Sequence, residues 1–192
     1  MQPTDVHAQI LAEIKRIEPL DALEQAHIKD ACTWVASGVN IFRIAKPDKP
    51  PKHLVSYFIL IDPEHKSLLL GDHVRSQLWL PSGGHVELNE HPRETVNRES
   101  QEELGKKAVY LRGNDHPFFI TVTKTNALTA SHTDVSLWYL LRGSVHETIN
   151  FERREFNDMT WFSFDEILQM NATILDPQMQ RFTEKLKRYL VG

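Results

Sequence analysis

Gly83-Gly-His-Val-Glu-Leu-Asn-Glu-His-Pro-Arg-Glu-Thr-Val-Asn-Arg-Glu-Ser-Gln-Glu-Glu-Leu-Gly105 is the stretch from which the rest of the chain can be read. Pro92 suits the first turn of a helix, where its missing N–H costs nothing. Asn89, just upstream, is a residue type that caps helices. Gly105 stands where a helix ends in a left-handed residue. The spacing therefore predicts a helix over Pro92–Leu104. Glu99, Glu102 and Glu103 then fall at i, i+3 and i+4, on one face. They also crowd the end where the helix dipole disfavours negative charge. At about 5–6 Å and an effective dielectric of about 20, each pair repels by roughly 3 kcal/mol before solvent screening. A helix selected for stability alone would carry Lys or Arg there. A solvated acidic helix end is the bland reading; a hard divalent cation such as Mg2+, which takes oxygen ligands, gives the conflict a purpose.

The spacing of the whole stretch resembles the Nudix box. That motif is a glycine, five residues, a glutamate, seven residues, then Arg-Glu-hydrophobic-any-Glu-Glu-any-Gly-hydrophobic. Gly84, Glu90, Arg98, Glu99, Glu102, Glu103 and Gly105 stand in register. Two positions depart: Ser100 and Lys106 occupy the hydrophobic slots, which concern packing rather than chemistry. The resemblance implies an α/β fold, a Nudix-type α/β/α sandwich with a mixed sheet. It implies a hydrolase cleaving a pyrophosphate bond, a phosphorus anhydride, in a nucleoside diphosphate linked to another moiety. Mg2+ is the implied cofactor, with Mn2+ able to substitute. By residue, Glu99, Glu102 and Glu103 match the metal-binding glutamates, and the Gly83 carbonyl resembles a further backbone ligand. Glu90 and Arg98 match residues that tie the loop to the helix. Many relatives use another glutamate on the loop before the last strand. Glu155 is the first choice for that catalytic part and Glu152 the second. A solvated loop charge is the alternative for each.

Outward from the box, residues 4–37 read as two helices. Ile10, Leu11, Ile14 and Ile17 recur at helical spacing. Asp21 followed by Glu24 resembles a capping box. Leu23, His27, Ala31, Trp34 and Val35 can line one face, and Ser37-Gly38 ends it. Pro47-Asp-Lys-Pro-Pro-Lys52 reads as a linker, since stacked prolines join neither a helix nor a central strand. The expected division is an N-terminal helical extension over 1–45 and a Nudix hydrolase domain over 46–192, including the C-terminal helix. The N-terminal helical hairpin is either a lid or dimerisation element, which would make a homodimer, or helices that simply pack on the domain. Residues 53–61 and 67–71 read as a hairpin, with a short strand over 77–81. Strands are expected over 107–111, 118–124, 135–141 and 159–163, with loops at 114–115 and 126–132. Helices are expected over 165–170 and 177–190.

The chain has 192 residues, 41% hydrophobic and 25% charged, and a net charge of −4. That charge offers no general attraction to nucleic acid or to an acidic membrane, so neither is an expected partner. The expected partner is a small nucleotide-type molecule. No apolar run approaches the about 18 residues of a membrane span, and no secretory pattern opens the chain, so a cytoplasmic location is the expectation. Cys32, the single cysteine, falls in a helical pattern and reads as a packed residue. This argues against the isomerase chemistry of Nudix relatives that use a catalytic cysteine. His85 and His132 are candidate substrate contacts, His132 together with Asp134; a surface or supporting histidine is the alternative. A modified nucleoside triphosphate, a nucleotide sugar and a dinucleotide all remain open as substrates. The rival from another class is a non-catalytic Nudix-fold domain for ligand sensing or interaction. Such domains usually lose box glutamates, and all of them are present here.

Overall fold

The computed structural model describes residues 3–45, 49–126 and 131–191. Pro47 and Asp48 of the expected linker, and 127–130 of the expected loop, lie outside the described residues. The helices are α1 (Pro3–Ile14), α2 (Ala22–Ala36), α3 (Pro92–Leu104), α4 (Phe164–Gln169) and α5 (Met179–Val191). The strands are β1 (Lys52–Asp62), β2 (Ser67–His73), β3 (Trp79–Leu80), β4 (Ser82–His85), β5 (Phe119–Asn126), β6 (Ser131–Arg142) and β7 (Phe156–Ser163). They form a mixed seven-stranded sheet in the order β3-β2-β1-β6-β5, with β4 on β1 and β7 on β2. Two compact units emerge from the internal contacts. The first is Met1–Tyr57 with Gly83–Asn97 and Asp115–Tyr139; the second is Phe58–Ser82 with Arg98–Asn114 and Leu140–Gly192.

In the first unit the N-terminal helices belong to the core. Val6, Ile10 and Ile14 repeat every four residues along α1 and are buried, as one apolar face of a helix requires. On α2 the buried residues are Glu24, Ile28, Ala31 and Val35. Leu23, expected on that face, is 47% exposed. Asp21 caps α2 by accepting from the Glu24 N–H. Glu24 also does more than complete a cap. Its fully buried carboxylate accepts from the Leu20 N–H and from the Ile120 N–H of β5. A buried carboxylate needs such donors to be tolerated, and here they fasten the helix to a strand. β5 and β6 pair antiparallel from Phe119↔Trp138 to Asn126↔Ser131. His132 therefore sits on a strand and not in the loop expected over 126–132. The Trp138 indole N–H donates to Thr121 Oγ1 at 3.1 Å, which satisfies a fully packed ring.

In the second unit β2 is the central strand, pairing β7 from Ser67↔Ser163 to His73↔Phe156 and β3 at Gly71↔Leu80. Its Leu68, Leu69 and Leu70 are all buried, the continuous apolar run of a strand covered on both faces. Asp62 closes the β1–β2 turn, its Oδ1 accepting from the Glu64 and His65 N–H groups. The expected strand over 107–111 is not a strand. Only Tyr110 forms an isolated pairing, with Leu141, before a 3-10 turn over Leu111–Gly113. Arg112 and Gly113 there take positive φ of 54° and 71°, which a continuing strand cannot accommodate. β7 begins at Phe156 rather than at Met159, directly after Glu155. Ser163 and Glu166 cap α4 reciprocally, and Met179, Phe182 and Leu186 bury the inner face of α5.

Candidate active site

The N-terminal end of α3 is set by loop chemistry in the first unit. Gly83 has φ of 138°, and a Cβ there would lie 2.1 Å from the Ser56 carbonyl oxygen and 2.8 Å from Tyr57 Cα. Only glycine fits this approach of β4 to β1. The helix cap is His91, not the expected Asn89, which instead turns the chain at φ 62°. His91 Nδ1 accepts from the Arg93 N–H at 3.2 Å, and Glu94 Oε2 accepts from the His91 N–H at 3.1 Å. This is a capping box with imidazole in place of the usual hydroxyl. Burial pushes the His91 imidazole below its ordinary pKa, against the opposing pull of Glu13. The ring is therefore kept neutral, as an accepting Nδ1 demands. Glu90 accepts from the Glu87 N–H at 2.9 Å and from Thr95 Oγ1 at 2.8 Å.

The C-terminal half of α3, in the second unit, carries the glutamates. Glu103 is buried, the Glu99 side chain is 14% exposed and that of Glu102 59% exposed. Arg98 pairs with Glu99 at 2.7 Å and lies 3.5 Å from Glu102. Burial raises the Glu99 carboxyl above its ordinary range; Arg98 opposes this, while Glu102 and Glu155 push it further up. The electrostatic conflict anticipated from the spacing is thus present at Glu99, and Glu155 takes part in it. The backbone explains how Glu155 comes to act there. The Glu152 N–H donates to the Glu103 carbonyl, and the Glu155 N–H to the Glu152 carbonyl. Glu155's own carbonyl accepts from the Val74 N–H. Two strands of constraint therefore hold the residue before β7. The two departures from the motif compensate each other. Buried Ser100 donates its hydroxyl to the Lys106 carbonyl at 2.9 Å, and the Lys106 N–H returns to the Ser100 carbonyl at 3.1 Å. This closes the helix at Gly105, whose φ is 60°, as a left-handed terminus requires.

The donor type, carboxylate oxygens on one helix face, suits a hard divalent cation. With Arg98 drawn onto Glu99, however, the glutamate oxygens are not gathered to ligand spacing. Among the described residues, the group of three whose ligand atoms all lie within 4.8 Å is His53, His132 and Asp134. These stand in the first unit with His85, whose ring centroid is 4.9 Å from that of His53. Arg43 Nη1 lies 3.2 Å from His85 Nε2. The sequence reading named His85, His132 and Asp134 but saw His53 only as the start of a strand. No local signal marks it, because its partners lie some eighty positions further along the chain.

The NUDIX domain family matches residues 51–186. Among curated proteins, none matches this sequence. The structure is similar to a NUDIX-family hydrolase of Clostridium perfringens, at 20% identity and TM-score 0.53, covering 71% of this chain and 97% of that one. It is similar to a MutT protein of Methanosarcina mazei, at 24% identity and TM-score 0.52, covering 71% and 93%. It is also similar to the NUDIX domain of Shewanella oneidensis NrtR in complex with ADP ribose, at 18% identity and TM-score 0.55, covering 71% and 87%. With the box in register, the mixed sheet and helices in place and the family match running over most of its length, this chain belongs to the NUDIX domain family, with the Nudix-type α/β/α sandwich fold.

Proposed function

We propose that the protein is a pyrophosphohydrolase that cleaves the anhydride of a nucleoside diphosphate linked to another moiety, with Mg2+ as its cofactor and Mn2+ as a substitute. The observation that carries this reading is the carboxylate end of α3, where burial raises the Glu99 carboxyl above its ordinary range and the charges of Glu102 and Glu155 add to that. Carboxylates alone repel a polyphosphate, so this arrangement makes sense as a holder of cations and not as a direct phosphate contact. Glu99, Glu102 and Glu103 are the residues that would hold the ion. When bound, it would neutralise phosphate oxygens and lower the pKa of water. The Gly83 carbonyl as a further ligand rests on the family resemblance.

The chain's own residues supply position and proton handling. Glu103 is buried, and the Glu152 N–H holds its backbone carbonyl. Glu155 is exposed and fastened through its backbone. It is the proposed base, a carboxylate able to accept the proton of an attacking water. Arg98, paired to Glu99 and near Glu102, balances their charge until a cation takes that role.

The same Arg98 pairing favours a second reading, a nucleotide-binding domain whose glutamates stay neutralised by arginine and which does not turn its ligand over. Formation of nucleoside monophosphate from a panel of nucleotide sugars, dinucleotides and modified nucleoside triphosphates, with and without Mg2+, separates the two. Metal-dependent formation supports hydrolysis. Saturable binding without cleavage of any member supports the second reading.

A further inference from the structure

The carboxylate end of α3 does not use the histidines of β1 and β6. His53 stands at the start of β1 and is fully buried. Its Nδ1 lies 2.9 Å from the Pro50 carbonyl oxygen. A carbonyl only accepts, so Nδ1 carries a hydrogen, and in the neutral ring the other nitrogen, Nε2, presents its lone pair. That nitrogen faces Asp134 Oδ1 at 3.1 Å. His132 reaches the other oxygen, with Nε2 3.2 Å from Asp134 Oδ2. The two rings stack at 5.3 Å between centroids and 18° between planes. Side-chain exposures of 10% for His132 and 14% for Asp134 leave a narrow approach. A lone pair set against a carboxylate oxygen in a dry place is repulsive unless a proton or a cation lies between them.

Three features favour a cation. The first is the ligand type: two imidazoles and one carboxylate suit first-row divalent ions such as Zn2+. The second is convergence: one ligand atom from each of the three residues lies within 4.8 Å of the other two. The third is support: a metal-bound histidine commonly donates its other N–H to a carbonyl, as His53 does to Pro50.

We infer that His53, His132 and Asp134 form a binding site for a first-row divalent transition ion of the Zn2+ class, chemically different from the all-oxygen helix end. His132 is then a metal ligand rather than the substrate contact expected from sequence. His85 is not a ligand through Nε2, because that nitrogen faces the Arg43 guanidinium, which can only donate.

Co2+ is a suitable probe, since nitrogen-containing, low-coordinate sites give intense visible bands. Chelator-treated full-length protein is titrated with Co2+ in excess Mg2+. About one equivalent should give these bands. Asp134→Asn and His132→Gln should abolish them, whereas Glu102→Gln should keep them. X-ray absorption at the cobalt edge of the wild-type protein should show imidazole scattering, a readout that needs no variant to fold. Three results would each overturn the site: an all-oxygen shell, loss of the bands in Glu102→Gln alone, or no bands in the wild type. The last would leave a His–Asp–His network sharing a proton.

Discussion

The glutamate end of α3 and the histidine group on β1 and β6 reach similar chemistry by opposite routes. The glutamates come from five consecutive positions of one helix, where 3.6 residues per turn places them on one face whatever the rest of the chain does. The histidine group takes its members from residues 53 and 132–134, joined only when strands lie side by side. The helix gathers like charges, which Arg98 partly offsets at Glu99. The strands place two imidazoles on either side of a single carboxylate. A local motif thus fixes which residues cooperate, whereas an assembled group depends on every contact that holds its strands.

The sharpest way to break this comparison is to remove residues 1–45. Ile10, Ile14, Ile17, Ile28 and Val35 are buried in the first unit. Each buried side chain of this kind contributes about 1.5–3 kcal/mol. Five of them match the whole stability of an ordinary domain, about 5–15 kcal/mol. The truncated chain should be insoluble or lack a cooperative transition in circular dichroism. A soluble, cooperatively folding product would show that the first unit holds without its helices, as the proline-rich linker suggested from sequence.

A second cut strikes the local motif alone. Glu102→Gln and Glu103→Gln should each lower kcat by about 100-fold or more, about 2.7 kcal/mol at the transition state, with Glu155→Gln between them and the wild type. Steady-state formation of the nucleoside monophosphate measures this, and near-normal turnover in both box variants would remove the proposed mechanism.

Metal linkage sharpens the comparison further. At about ten times its Kd, Mg2+ should add about 1.4 kcal/mol, a rise of about 3–6 °C in Tm. Glu99 gives this a pH signature. Its folded carboxyl has a raised pKa, chiefly from burial. Its stabilising contribution is therefore complete in acid and is lost as pH rises from the ordinary carboxylate range through that raised value. Chelated wild type should lose stability over that window, and Glu99→Gln should not. Mg2+ should reverse their order at neutral pH. Identical curves for both proteins would mean that Glu99 is not under this strain.

The smallest effect concerns the helix start. His91→Ala removes a cap and should cost about 1 kcal/mol in denaturant unfolding, while His91→Asn should recover most of it. Because burial depresses the His91 pKa, the cap's contribution is present above the ordinary histidine range and is lost as pH falls through the lower folded value. An alanine variant as stable as the wild type at neutral pH would show that Glu94 caps the helix alone.

By itself, the sequence determined α3 to the residue, the face its glutamates share, the left-handed close at Gly105 and the strand character of β1, β2, β5 and β6. All of these depend on interactions within a few positions, where propensity and periodicity act directly. It misplaced the cap at Asn89, because whether Asn or His meets the first free N–H groups depends on how the loop arrives. It marked Ser100 and Lys106 as departures in packing slots without their mutual hydrogen bonds, which need the turned backbone. It read residues 107–111 as a strand on composition, although the ladder requires a partner that only Leu141 supplies, at one residue. The tertiary structure alone decided that Glu24 fastens β5, that Glu155 acts on Glu99 and that His53 meets Asp134. Each of these joins residues separated by about fifty to a hundred positions, and no local pattern encodes which distant strand or loop will come to lie alongside.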